Sequence, residues 1–144
     1  MSPMLMRIVV PISLVLLLVV VSEAGILSNL VHIEVTNGLS NNKNLDLHCF
    51  ERYGEEPGEV TLPPGGQFKF SFRRRVIGRS TKFYCSVKWI GSNLLWFDLW
   101  SQGRDGNAGR LLRWTVREKE VCRFDAARSY SVCAAYRQKS IFVP

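Results

Sequence analysis

In Gln67-Phe68-Lys69-Phe70-Ser71-Phe72, three aromatic rings alternate with three polar side chains. A pleated strand sends successive side chains to opposite faces, so a period of two places the rings on a core and the polar set in water. The same alternation runs through Val31-His32-Ile33-Glu34-Val35 and Leu45-Asp46-Leu47-His48-Cys49. Further strands are expected at Glu59 to Leu62, Thr81 to Trp89, Leu94 to Trp100, Leu111 to Val116, Val121 to Phe124 and Tyr130 to Cys133. Between them lie turn formers: Asn37-Gly38, Asn41-Asn42, Pro57-Gly58, Pro63-Pro64-Gly65-Gly66, Gly91-Ser92-Asn93 and Gly103 to Gly109. Gly and Asn tolerate positive φ and Pro presets φ, so these clusters punctuate a sheet. No segment sustains a 3.6-residue stripe, and the one helix expected is a short piece around Asp125 to Ser129. The fold class that follows is all-β, a single-domain antiparallel β-sandwich stabilised by disulfides.

The chain holds four tryptophans and eight phenylalanines. Phe68, Phe70, Phe72, Phe83, Trp89, Phe97 and Trp114 fall mostly at inward positions, where large rings fill a small core. In Leu95-Trp96-Phe97-Asp98-Leu99-Trp100, strict alternation with Phe97 and Leu99 inward puts Trp96 and Trp100 outside, beside Asp98. Two exposed rings on one face make a candidate partner contact.

The N-terminus points to export. Arg7 precedes an apolar run from Ile8 to Val21, interrupted by Pro11 and Ser13, and Ser22-Glu23-Ala24 supplies small residues ahead of Gly25. That layout is a secretory signal peptide over residues 1–24, leaving a domain at 25–144. The run is shorter than the roughly 20 residues of a membrane-spanning helix. In an oxidising compartment the four cysteines, Cys49, Cys85, Cys122 and Cys133, read as two disulfides. Their wide gaps lack the spacing of a zinc knuckle. A hairpin centred between Ala127 and Arg128 would oppose Phe124 with Ser131 and Cys122 with Cys133, leaving Cys49 for Cys85. A bridge from Cys133 back across the sandwich to Cys49 is the competing connectivity.

The net charge is +7, from 19 Lys and Arg against 12 Asp and Glu. Charge of that sign favours anionic partners. It is densest at Arg73-Arg74-Arg75, followed by Arg79 and Lys82, on a loop leaving the Gln67 to Phe72 strand. Guanidinium forks hold carboxylates in two-point contacts, so this loop is expected to serve binding rather than folding. Catalytic signals are missing. His32 and His48 are the two histidines, each inside a strand pattern and without a nucleophile motif nearby. Phosphate-cradling loops, nucleophile elbows and metal-ligand clusters are absent from the sequence, as is any Asn-x-Ser/Thr sequon. No enzyme activity, metal or cofactor is expected.

Several phrases carry a family resemblance. Val31 to Leu39, with its Asn37-Gly38-Leu39 end, Leu45-Asp46-Leu47-His48-Cys49, and Leu62-Pro63-Pro64-Gly65-Gly66 running into Gln67 to Phe72 are three of them. Thr81 to Trp89, Phe97-Asp98-Leu99-Trp100 with Arg104-Asp105, and Trp114-Thr115-Val116-Arg117-Glu118 follow in order. Together they resemble the plant self-incompatibility protein family, the secreted S-protein homologues. The resemblance implies a disulfide-held β-sandwich secreted as a signalling ligand. Family members commonly place their last two cysteines ahead of the tryptophan matching Trp114. Here Cys122 and Cys133 follow it, so the resemblance does not carry the pairing.

The function expected is a secreted, non-enzymatic recognition ligand acting by surface contact. Its partner would be a cell-surface receptor or other extracellular protein, with an anionic cell-wall polymer as a further candidate. Nucleic acid binding and stable membrane insertion are not expected. The alternative is a cationic secreted defence (antimicrobial) protein, though the sequence has no amphipathic basic helix.

Overall fold

A computed structural model describes residues 11–18, 29–54, 56–75, 77–125 and 129–138. Residues 11–18 are helical, and among the described residues no helix is long and apolar enough to cross a membrane. The expected cut after Ala24 lies outside the described residues, as do Ala126 to Arg128 of the expected short helix and hairpin turn.

From residue 31 the chain forms one compact unit. Nine strands occupy the nine expected places: β1 Leu30–Asn37, β2 Leu45–Glu51, β3 Gly58–Leu62, β4 Gln67–Arg73, β5 Lys82–Lys88, β6 Leu95–Ser101, β7 Leu111–Val116, β8 Glu120–Asp125 and β9 Tyr130–Ala135. A one-turn helix, Gln102–Asp105, follows β6. The strands form two sheets, one ordered β4-β1-β7-β8-β9 and the other β3-β2-β5-β6. β1 and β7 run parallel, whereas β2–β3, β2–β5, β5–β6, β7–β8 and β8–β9 pair antiparallel.

The inner faces make the core. Val31, Ile33, Val35, Leu112, Trp114 and Val116 come from one sheet; Leu45, Leu47, Phe83, Val87 and Phe97 come from the other. Phe72 is buried, while Phe68 and Phe70 pack against the core half-covered. Each buried aliphatic or aromatic side chain contributes about 1.5–3 kcal/mol relative to exposure.

Both disulfides join directly opposed residues. Cys49 faces Cys85 across β2 and β5, wholly buried, and Cys122 faces Cys133 across β8 and β9 with Phe124 opposite Ser131. The hairpin pairing therefore holds and the bridge to Cys49 does not form. In the chain-entropy account the 36-residue separation contributes about 4 kcal/mol and the 11-residue one about 3 kcal/mol.

The turn after β1 gives the Asn37-Gly38-Leu39 phrase a physical reason. Buried Asn37 donates from Nδ2 to the carbonyls of Lys43 (2.8 Å) and Leu62 (3.0 Å) and accepts from the Leu39 amide (3.0 Å). Gly38 passes so close to β7 that a Cβ there would lie 2.5 Å from the Thr115 methyl and 3.0 Å from the Val116 carbonyl. The Pro63-to-Gly66 turn docks on the same point, its Gly65 amide bonding Asn37 O and its Gly66 carbonyl receiving the Asn37 amide.

Candidate functional site

The outer face of the β3-β2-β5-β6 sheet carries rings where alternation calls for polar residues. His48 and Phe50 on β2 oppose Ser86 and Tyr84 on β5, and Ser86 in turn opposes Trp96 on β6. Phe50 sits at the centre, its ring 3.9 Å from His48, 5.3 Å from Tyr84 and 6.1 Å from Trp96; Tyr84 and Trp96 are 5.9 Å apart. All four are half-buried. Asp46, Glu59, Ser86 and Lys88 border the shallow groove beside them, and His48 Nε2 is paired with Glu56.

A cationic cluster lies just past the end of β2. Arg52 and Tyr53 form the turn after β2, and the guanidinium carbons of Arg79, Arg75 and Arg52 lie 4.8, 5.4 and 5.9 Å from the Tyr53 ring centre. A ring face attracts cations by its quadrupole, so one exposed tyrosine gathers three like charges. Arg75 also donates to Glu51 Oε1 at 2.7 Å. Glu51 points inward at the end of β2, opposite Phe83. Burial pushes its carboxyl up, but the bonds from Arg75 and the Tyr53 amide outweigh this and hold it below the usual range. Lys82 pairs with Asp98 at 3.5 Å and Arg137 with the same carboxylate at 2.7 Å. Burial also raises Asp98, and Arg137 and Lys82 again reverse the shift.

Two expectations need correction. Trp100 is not on the exposed face: it is 1% exposed. Tyr84 pairs with Asp98 but Phe83 pairs with Trp100, so Leu99 is an extra residue in β6. A bulge shifts the alternation by one, and both Leu99 and Trp100 turn to the core. Trp100 packs edge-on against Phe72 at 5.1 Å, leaving Trp96 as the exposed-face tryptophan of that pair. The arginine run is likewise not purely a binding loop. Arg74 donates to the Gly106 carbonyl at 2.8 Å and Arg75 to buried Glu51, so both brace the fold, whereas Arg73 and Arg79 are exposed.

Phe50 and Tyr84 went unsingled in the sequence, and His48 was noted there only as a strand histidine. The available signal was rings at the polar phase of two strands that prove adjacent, and register alone reveals the adjacency. A second missed feature is inside. Asp105 is 1% exposed and receives two bonds from Arg104, at 2.9 and 2.7 Å, and one from Arg123, itself 4% exposed. Arg104 and Arg123 both lie over the Trp114 ring, at 5.4 and 5.9 Å. On the other sheet's outer face, His32 Nδ1 and Ser71 Oγ share a 2.6 Å hydrogen bond, while the neighbouring Glu34 is held by Lys69 and Arg113. Glu120 clusters with Cys122 and Cys133, but those sulfurs are bonded to each other and offer no thiolate.

Residues 32–136 match the family described as Plant self-incompatibility protein S1. The chain belongs to that family. Three proteins of Arabidopsis thaliana are similar to it. S-protein homolog 2 is 30% identical, covering 76% of this chain and 70% of the relative. S-protein homolog 3 is 28% identical over 70% and 69%, and S-protein homolog 4 is 27% identical over 70% and 68%. In this member of the self-incompatibility family, the resembling phrases are largely structural. Asn37 and Gly38 fix a turn, Cys49 and Cys85 bridge the core, and Trp114 and Asp105 hold the buried charge cluster.

Proposed function

We propose that the protein is a secreted, non-enzymatic recognition ligand that acts by surface contact with an extracellular partner, a cell-surface receptor foremost. The observation that carries this reading is the ring-bearing outer face of β2, β5 and β6, with a second cluster of arginines around Tyr53 past the end of β2. Exposed aromatic patches beside arginine are the composition of contact surfaces, where Trp, Tyr and Arg supply most of the binding energy. Membership of a family of S-protein homologues supports the same role. The N-terminal apolar run supports export, with residues 1–24 as the removed leader and 25–144 as the acting domain.

The test is expression of the full chain in plant cells. Secreted protein starting at Gly25, and saturable attachment of labelled protein to intact cells that weakens in Trp96→Ala, are the expected results. Retention inside the cell, or non-saturable attachment unaffected by Trp96→Ala, would defeat the reading.

A further inference from the structure

We propose that β9 is a dimerisation edge. Two copies of this chain pair their β9 strands antiparallel about a two-fold axis at Cys133, joining their five-stranded sheets into one.

The first observation is a contrast among the four sheet edges, β3, β4, β6 and β9. An edge strand offers unpaired N–H and C=O groups to any other strand, and proteins blunt it with brevity, charge, proline or a covering segment. β3 is five residues long, carries Glu59 and follows Pro57. β4 carries Lys69 and Arg73. β6 is covered: Trp96 exchanges backbone bonds with Arg137, and the Asp98 carbonyl receives Arg104 Nη2 at 3.0 Å. β9 is uncharged, free of proline and six residues long. Five of those residues are exposed and the sixth, Val132, is half-buried.

The second observation fixes which backbone groups face out. In an antiparallel pair, opposed residues with Cα atoms about 4.5 Å apart share no backbone bonds, and their N–H and C=O point away from the common ladder. Cys122 and Cys133 are such a pair, with Cα atoms 4.0 Å apart. Cys133 therefore directs its amide and carbonyl to the open edge, and the period of two adds Ser131 and Ala135. Arg137 is next in that phase, and its outward groups are the ones bonded to Trp96, which closes the edge at that end. At the other end Ser129, at φ 57°, turns the chain out of the strand. The open stretch is Ser131 to Ala135, centred on Cys133.

That symmetry selects a second copy as the occupant. A two-fold pairing opposes Ser131 to Ala135 and Cys133 to its own mate, so every outward group of the stretch is used. A two-fold seam also sets a strand's charges against like charges, and β9 has none to oppose. Ser131, Ala134 and Ala135 are too small to wall the side-chain pockets that give a foreign peptide strand its specificity. With the other three edges blunted, pairing closes at two copies instead of running on into a fibre. Strands of this length bury less than the roughly 1,200 Å² of a stable interface, and two chains of net charge +7 repel. The dimer is therefore weak, reversible and strengthened by salt, which screens that repulsion.

The test is sedimentation velocity on the purified protein, from micromolar concentration up to about 1 mM, at low and at high salt. The expected result is a monomer–dimer equilibrium that moves toward dimer as protein or salt rises, with amide exchange at Ser131, Cys133 and Ala135 slowing in parallel. Ala135→Pro removes an outward donor and leaves the β8 ladder whole. It should weaken association about tenfold, two seam hydrogen bonds being lost by symmetry, with the melt unaltered. If the proline disturbs the fold, Ser131→Lys combined with Ala135→Lys decides. It opposes lysines across the seam at two exposed positions, and should hold the protein monomeric. Monomer at every concentration, or a dimer that persists in both variants, overturns the proposal. A protein that stays monomeric but protects the same three amides when a strand-forming peptide is added also overturns it, because the occupant is then a foreign strand.

Discussion

Two arginine clusters in this molecule share a plan and differ in use. Arg104 and Arg123 lie over Trp114 around the buried carboxylate of Asp105; Arg75, Arg79 and Arg52 lie over Tyr53, which is 44% exposed, beside Glu51. In the first, ring, acid and Arg123 are sealed from water, while Arg104 reaches the same acid with a side chain still 37% exposed. In the second, Arg75 holds a buried acid while Arg79 faces solvent. The partner's burial, not residue type, separates an arginine that holds the fold from one left facing solvent.

The largest test of that contrast is Asp105→Ala. It strands Arg123 in the core, and removing one partner of a buried pair costs about 3–5 kcal/mol. Urea unfolding should show a drop of that order. A drop below about 1 kcal/mol would mean the cluster is as dispensable as a surface pair.

Arg75→Gln should fall between the two clusters. Its Glu51 partner is buried, but its own side chain is 37% exposed, so the loss should be about 2 kcal/mol, short of the figure for a sealed pair. This revises the expectation that the arginine run can change without cost. An unaltered melting temperature would put Arg75 back with the binding residues.

Acid sharpens the same point. Glu51 has a folded pKa below its ordinary 4.5. A depressed carboxyl adds stability that is fully present above the unfolded pKa and lost as pH falls through the folded one. Stability should therefore decline below about pH 4.5, with Asp98 contributing in the same sense. Glu51→Gln should make that decline shallower in melts from pH 6 down to pH 3. An unchanged slope would show that the pair forms no linkage with folding.

The smallest effect is expected at Arg79→Gln. An exposed charge stacked on an exposed ring contributes less than about 1 kcal/mol to stability, so the melt should stay put while partner attachment weakens and loses part of its salt sensitivity. A melting loss as large as that of Arg75→Gln would erase the distinction within the cluster.

Much of this was legible without coordinates. Alternation located β1, β2 and β4, because a strand's period of two is imposed by its own pleat, and turn formers bounded the other expected runs. The β8–β9 register followed from a short local hairpin, which opposed Cys122 and Cys133 and left Cys49 for Cys85. The spacing of phrases such as Asn37-Gly38-Leu39 and Trp114 pointed to the family. These signals are local, or are carried by the order of residues along the chain.

Tertiary structure decided the rest. The bulge at Leu99 turns Trp100 inward, because Phe83 of the neighbouring strand and Phe72 of the facing sheet receive its ring. Arg75 becomes a brace because Glu51, 24 positions away, reaches it inside the sandwich. Phe50, Tyr84 and Trp96 become one surface because β2, β5 and β6 lie side by side, and β1 pairs with β7 in parallel across some 80 residues of chain. A charge's partner and a ring's neighbours are properties of packing between distant segments, and no local period encodes them.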